Sequence, residues 1–156
     1  MAVKRSILRG TVVPTVLLMS SALGSAIATA DELGDYRWQR RPLLVFAPSQ
    51  SDPRLAETLT RIEATRCDFA ARDMVLGQVL ATGGSTFDGR PVDAEESQRL
   101  RAQISIDANA FSVVLIGKDG GEKLRVAEVP DLQQIYAVID GMPMRGNEIR
   151  ANPGRC

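Results

Sequence analysis

Histidine is absent from this chain of 156 residues, cysteine occurs twice, and aromatic residues make up only 4% of the sequence. Without histidine there is no Ser-His-Asp triad, no Cys-His pair and no histidine metal site, so those chemistries are excluded by inventory. Lysine is nearly as scarce, because beyond residue 30 only Lys118 and Lys123 remain. The one long apolar run, Thr11 to Ile27, has no stop-transfer flank. It follows Lys4, Arg5 and Arg9 and closes on Ala28-Thr29-Ala30 before Asp31. This is the charged, hydrophobic and small-x-small pattern of a secretory signal over residues 1–30. The mature chain is then expected to be periplasmic or secreted and not held at a membrane.

The leader holds three of the 19 basic residues and none of the 19 acidic ones, which leaves the mature chain at a formal −3. That charge argues against a nucleic-acid footprint. The remaining 126 residues suit one domain, expected over 31–145, with residues 146–156 as a tail poor in apolar residues, lying on the surface or disordered.

In the mature chain, Leu43 to Ala47 is too short for a helix and carries β-favouring Val45 and Phe46, so it reads as a strand buried on both faces. A polar turn, Pro48-Ser49-Gln50-Ser51, leads to Asp52-Pro53, a capping carboxylate followed by the residue preferred at the first helical position. Leu55, Leu59 and Ile62 then form one apolar stripe of a helix reaching about Arg66. Asp73 to Leu80 reads as a second strand in which Gly77 permits close backbone approach, and 82–89 as a connecting loop with Phe87 turned inward. That loop lacks the spacing and the lysine of a phosphate-binding P-loop. Asp93 and Glu96 open a helix through about Ile104. Phe111–Gly117 and Glu122–Val126 form a hairpin, and Pro130-Asp131 opens a last helix that ends at Gly141. Tyr36 and Trp38 are expected to cover an edge of the core, the alternative for the lone tryptophan being a ligand platform. The order β-α-β-α-β-β-α, with a right-handed first crossover, is that of an α/β thioredoxin-like domain.

The chain resembles a peroxiredoxin-like domain of unknown function found in exported bacterial proteins and in vertebrate extracellular-matrix proteins. The resemblance spans roughly Leu33 to Ile149 and rests on Arg41-Pro42-Leu43-Leu44-Val45-Phe46-Ala47-Pro48, on Arg72-Asp73-Met74 and on Ile139-Asp140-Gly141-Met142-Pro143-Met144-Arg145. It implies a thioredoxin-like fold with no established activity. Laid on the thioredoxin pattern, the two positions of the Cys-x-x-Cys pair fall on Gln50 and Pro53; laid on the peroxiredoxin pattern, the nucleophile falls on Leu55. Neither register supplies a thiolate, so disulfide exchange and peroxide reduction lack their nucleophile.

Three functions compete. The first is a noncatalytic module that uses no cofactor and binds a protein partner or small anion at Ser49, Gln50, Ser51 and Asp52, where helix N–H groups attract negative charge. Against it stands the plainer role of Ser49 and Ser51 as helix caps. The second is a thiol oxidoreductase that has moved its cysteine to Cys67 or Cys156. The third is a serine hydrolase using Ser49 or Ser51 with a lysine base.

An oxidising compartment favours an internal bond between Cys67 and Cys156, the alternative being that Cys156 pairs with another molecule. The chain recovered from an exporting host is expected to begin at Asp31 and to weigh two hydrogens less than its reduced form. Intact mass under nonreducing conditions checks both; a retained Met1, a covalent dimer or two free thiols would contradict them.

Overall fold

The computed structural model describes residues 33–151. Residues 1–30, read from the sequence as a secretory signal, and Cys156 lie outside them. Six strands form one sheet, whose order across is Arg90–Val92, Ser85–Phe87, Met74–Thr82, Arg41–Ser49, Ser112–Ile116 and Glu122–Val126. The central strand β1 (Arg41–Ser49) runs parallel to β2 (Met74–Thr82) and antiparallel to β5 (Ser112–Ile116), which pairs in turn with β6 (Glu122–Val126).

Strand β1 is central because its side chains are apolar on both faces. Leu43, Val45 and Ala47 enter one core layer, with Leu55 and Ile62 of α1 (Pro53–Ala64) and Leu132, Ile135 and Ile139 of α4 (Leu132–Asp140). Leu44 and Phe46 enter the other, with Leu100 and Ile104 of α3 (Ala94–Ile104). All five strand residues have no exposed surface, and full burial of a Leu or Phe is worth about 1.5–3 kcal/mol each.

Several expected elements differ in detail. The first helix ends at Ala64, not Arg66: Thr65 leaves the helical conformation (φ −118°, ψ 27°), and its hydroxyl bonds the Arg61 carbonyl (3.0 Å) and the Tyr136 hydroxyl (2.7 Å). A second short helix, α2 (Arg66–Ala71), follows and buries Phe69. The expected loop over 82–89 is partly sheet: β3 (Ser85–Phe87) and β4 (Arg90–Val92) form a hairpin on the edge beside β2. Its turn is Asp88-Gly89 with φ of 49° and 76°, the positive-φ pair that favours Asp-Gly between strands. Phe87 is turned inward as expected, and Asp93 caps α3 by accepting from the Glu96 amide at 2.8 Å.

The largest difference lies near the C-terminus. Residues 146–156 read as a surface tail, yet Arg145–Ala151 is a helix, α5, with Arg145 buried. The turn into it departs from Gly141, which keeps a right-handed φ of −79°. Charge, not apolar area, seats α5 on the domain.

Close approach at Gly77 is confirmed, since a Cβ there would stand 2.7 Å from Leu44 Cδ2 and 3.0 Å from Phe87 Cδ2. Both neighbours are buried and have nowhere to move. Gly77→Ala is therefore expected to cost about 1–3 kcal/mol by overpacking. Urea unfolding measures it, and a variant as stable as the parent would show that the two side chains yield.

Candidate functional site

The sequence points first to the turn after β1. There Asp52 caps α1: its carboxylate accepts from the Arg54 amide (2.9 Å) and from Arg54 Nε (3.0 Å) and Nη2 (2.6 Å). The side-chain hydrogen bond from Arg54 holds the Asp52 carboxyl below its usual range, although burial pushes the other way. The Arg54 guanidinium also lies over the Phe111 ring, 4.8 Å from its centroid. Ser49 and Ser51 do not cap the helix; their hydroxyls bond each other at 2.9 Å. Gln50 and Ser51 are exposed, and Leu55, where the sequence resemblance put the peroxiredoxin nucleophile, is buried. The helix terminus thus already carries its own carboxylate, in the place an incoming anion would take.

Beneath this turn, Arg101 of α3 is buried and ties the sheet together. Its guanidinium donates to the carbonyls of Ala47, Val79 (2.9 Å) and Asp107 (2.9 Å). Burial lowers its pKa. These hydrogen bonds join the carboxyl ends of β1 and β2 to α3, which is a structural duty.

The other sequence candidates are far from the turn or not free. Nine residues of β1 span about 26 Å at 3.3 Å per step, and Lys118 lies at the Arg41 end, bonded to Asp73 (2.8 Å) and Glu148 (2.7 Å). It cannot serve Ser49 or Ser51 as a base. Cys67 is exposed on α2, and no cysteine among the described residues is free. No group of acidic or cysteine side chains among the described residues could hold a metal ion.

At the amino end of β1 the structure assembles charges that the sequence reading did not connect. Arg41 is 1% exposed and grips Glu148 of α5 in a bidentate pair (3.0 and 2.9 Å), while its Nη1 also donates to the Arg72 carbonyl. Glu148 also receives Lys118, and Arg145 lies 3.7 Å from it. Asp140 accepts from Arg72 (2.7 Å) and Arg145 (3.1 Å), and Arg72 covers the Tyr136 ring at 4.6 Å. Burial raises the pKa of Glu148, but the hydrogen bonds from Arg41 and Lys118 outweigh it and leave the carboxyl below its usual range. Asp140 is lowered in the same way by Arg72 and Arg145 against the effect of burial.

Beside this network lies a hollow of about 330 Å³, lined by Trp38, Met142, Pro143 and Met144 and by Arg41, Gly117, Lys118, Asp119 and Lys123. Tyr36 packs on Phe87 (ring centroids 4.9 Å apart) as an edge cover should, but Trp38 does not, being 63% exposed. The signal for this site was present in part. Arg41, Arg72, Asp73, Asp140 and Arg145 all belong to the three segments that carry the family resemblance, and the structure brings those segments together here.

Residues 32–148 match the family described as "Domain of unknown function (DUF4174)". The chain belongs to that family. It is 23% identical over 133 residues to the coiled-coil domain-containing protein 80 of Danio rerio; the match takes in 75% of this chain but 15% of that protein, so the chain spans a small part of that relative. Its fold is similar to that of the reduced 2-Cys peroxiredoxin of Plasmodium vivax (TM-score 0.55, 14% identity, 74% of this chain and 84% of that one). It is also similar to thioredoxin peroxidase I of Plasmodium yoelii (TM-score 0.53, 16% identity, 80% and 82%). The architecture is therefore the thioredoxin-like fold of peroxiredoxins, as the order of elements implied.

Removing the charge of Glu148 takes the bidentate carboxylate from Arg41 and leaves Lys118 with Asp73. Glu148→Gln is expected to cost about 3 kcal/mol at pH 7, the lower end for a broken buried pair because the side chain is 16% exposed. A carboxyl whose pKa is lowered on folding stabilises above its unfolded pKa, and that contribution is lost as pH falls through the folded value. Parent stability should therefore fall below about pH 4.3, the unfolded glutamate value, and the variant should lose less over that range. Denaturant midpoints against pH measure it; parallel profiles would remove Glu148 from the explanation.

Proposed function

We propose that this member of the DUF4174 family is an exported thioredoxin-like module that works by binding a protein partner or small anion and carries out no thiol chemistry. The observation that carries the reading is the filled turn. Gln50, Pro53 and Leu55 stand where thioredoxins and peroxiredoxins place cysteine, Leu55 is buried, and the Asp52–Arg54 pair covers the helix terminus. A thiolate needs electropositive, partly exposed surroundings. Here a carboxylate occupies that ground. The relocated-cysteine alternative would require Cys67 as a free thiol, and a serine hydrolase would require a lysine at the opposite end of β1.

The hollow under Trp38 supports binding better than the turn does. It is concave, largely apolar and edged by amines, the usual make-up of a small-molecule site. The purified exported chain is expected to consume no peroxide and to reduce no insulin disulfide above background. Turnover that survives replacement of both Cys67 and Cys156 by Ser would mean that another group supplies the chemistry, and turnover lost with them would revive the relocated thiol.

A further inference from the structure

Trp38 is held in a costly conformation. Its φ of 65° lies in the left-handed region, where a bulky residue is a backbone outlier. Its amide is fastened to the Lys118 carbonyl at 2.6 Å, so the hairpin end beside β1 fixes the strain in place. The indole gains no burial for this, since it is 63% exposed at the rim of the hollow. Packing alone does not explain a strained, exposed tryptophan.

The hollow is chemically two-sided. Trp38, Met142, Pro143 and Met144 supply an aromatic and thioether wall, whereas Arg41, Lys118 and Lys123 line the other side with Asp119, whose carboxylate accepts one Lys123 N–H at 2.6 Å and leaves that amine further donors. The counterions Glu148 and Asp73 are not part of that lining. Arg41, 1% exposed, keeps one donor without a hydrogen-bond partner, its Nε, a shortfall shared among the described residues only by Arg101 Nε under the turn, which lines no part of the hollow. A buried polar group left unpaired is a cost that native proteins seldom carry without a reason.

From these three observations, resting on the noncatalytic reading above, we infer that the hollow binds a small amphipathic anion, a carboxylate carried on an aromatic or apolar body. The body stacks on the indole and against the methionines. The carboxylate faces the cationic side, where charge-assisted hydrogen bonds are short and strong.

Trp38 is the only tryptophan in the chain and reports directly on its own site. The full exported protein is titrated with 2-naphthoate while tryptophan fluorescence is followed. 2-Naphthalenemethanol tests the need for charge and acetate the need for a body. Saturable quenching by the naphthoate is expected, with the alcohol and acetate each weaker by about tenfold or more. Met144→Asp and Lys123→Glu, both at exposed positions, should each weaken the naphthoate about tenfold by placing negative charge beside it. Thermal melts confirm that the variants fold, and calorimetry on Trp38→Phe measures the loss of the indole without the reporter. Equal affinity for the alcohol overturns the anion assignment. Saturable binding indifferent to both charge variants places the ligand elsewhere, and no saturation by millimolar naphthoate removes the site. None of these outcomes touches the thiol assays, whose failure would show as peroxide or insulin turnover.

Discussion

The fold depends on the burial of a charge. Strand β1 is covered on both faces, and its first residue is an arginine with almost no exposed surface. A guanidinium in that position loses its hydration, a cost of several kcal/mol unless carboxylates and carbonyls replace the water. Glu148 does most of this with a bidentate grip, and the Arg72 carbonyl takes a further N–H. Glu148 can reach Arg41 only if the chain after Asp140 turns back and forms α5. The buried arginine therefore explains why a segment with few apolar residues is ordered at all. It also explains the company Glu148 keeps. Lys118 and Arg145 bring more positive charge to the same carboxylate, and Asp73 and Asp140 balance them.

What could be read from the sequence is what local chemistry decides. The strands at 43–47, 111–117 and 122–126 carry period and β-branched content; the helix starts at Asp52-Pro53 and Asp93 carry capping side chains that do cap. The turn residues therefore named the fold correctly. The hairpin at 85–92 was legible too, since Asp88-Gly89 is the turn signature, but three-residue strands are too short to show alternation. Helix α5 was not legible. Its hold on the domain is a pair 107 residues apart in sequence, and nothing about Glu148 in its own neighbourhood distinguishes it from a solvated surface charge. Trp38 failed for the opposite reason. Aromatic burial is a sound average, and only the hydrogen bond to Lys118 and the positive φ reveal that this residue is held outside.

The likeness to peroxiredoxins is one of architecture, at sequence identities too low to bring chemistry with it. The turn between β1 and α1 is closed by contacts within the domain. Asp52 and Arg54 neutralise each other, Arg54 stacks on Phe111, the two serines share a hydrogen bond, and Arg101 fastens the strand ends below. Among the buried side-chain polar atoms there, Arg101 Nε alone lacks a hydrogen-bond partner within the domain. A surface whose polar groups satisfy one another gains little by meeting a ligand, because any new hydrogen bond must first break an old one.

The amino end of β1 has the opposite character. There the domain keeps an exposed indole on strained backbone and an apolar wall beside a buried, ion-paired arginine. Strain persists in folded proteins only where the surrounding structure imposes it, and the network around Glu148 is rigid enough to do so. The same ion pairs that seat α5 also set Met142 to Met144 opposite Trp38, since the link between α4 and α5 forms that wall. Stability and shape at this end thus have one cause. The ordering interactions of this domain lie at the beginning of its central strand, and the hollow beside them sits at the end of β1 opposite the turn into α1.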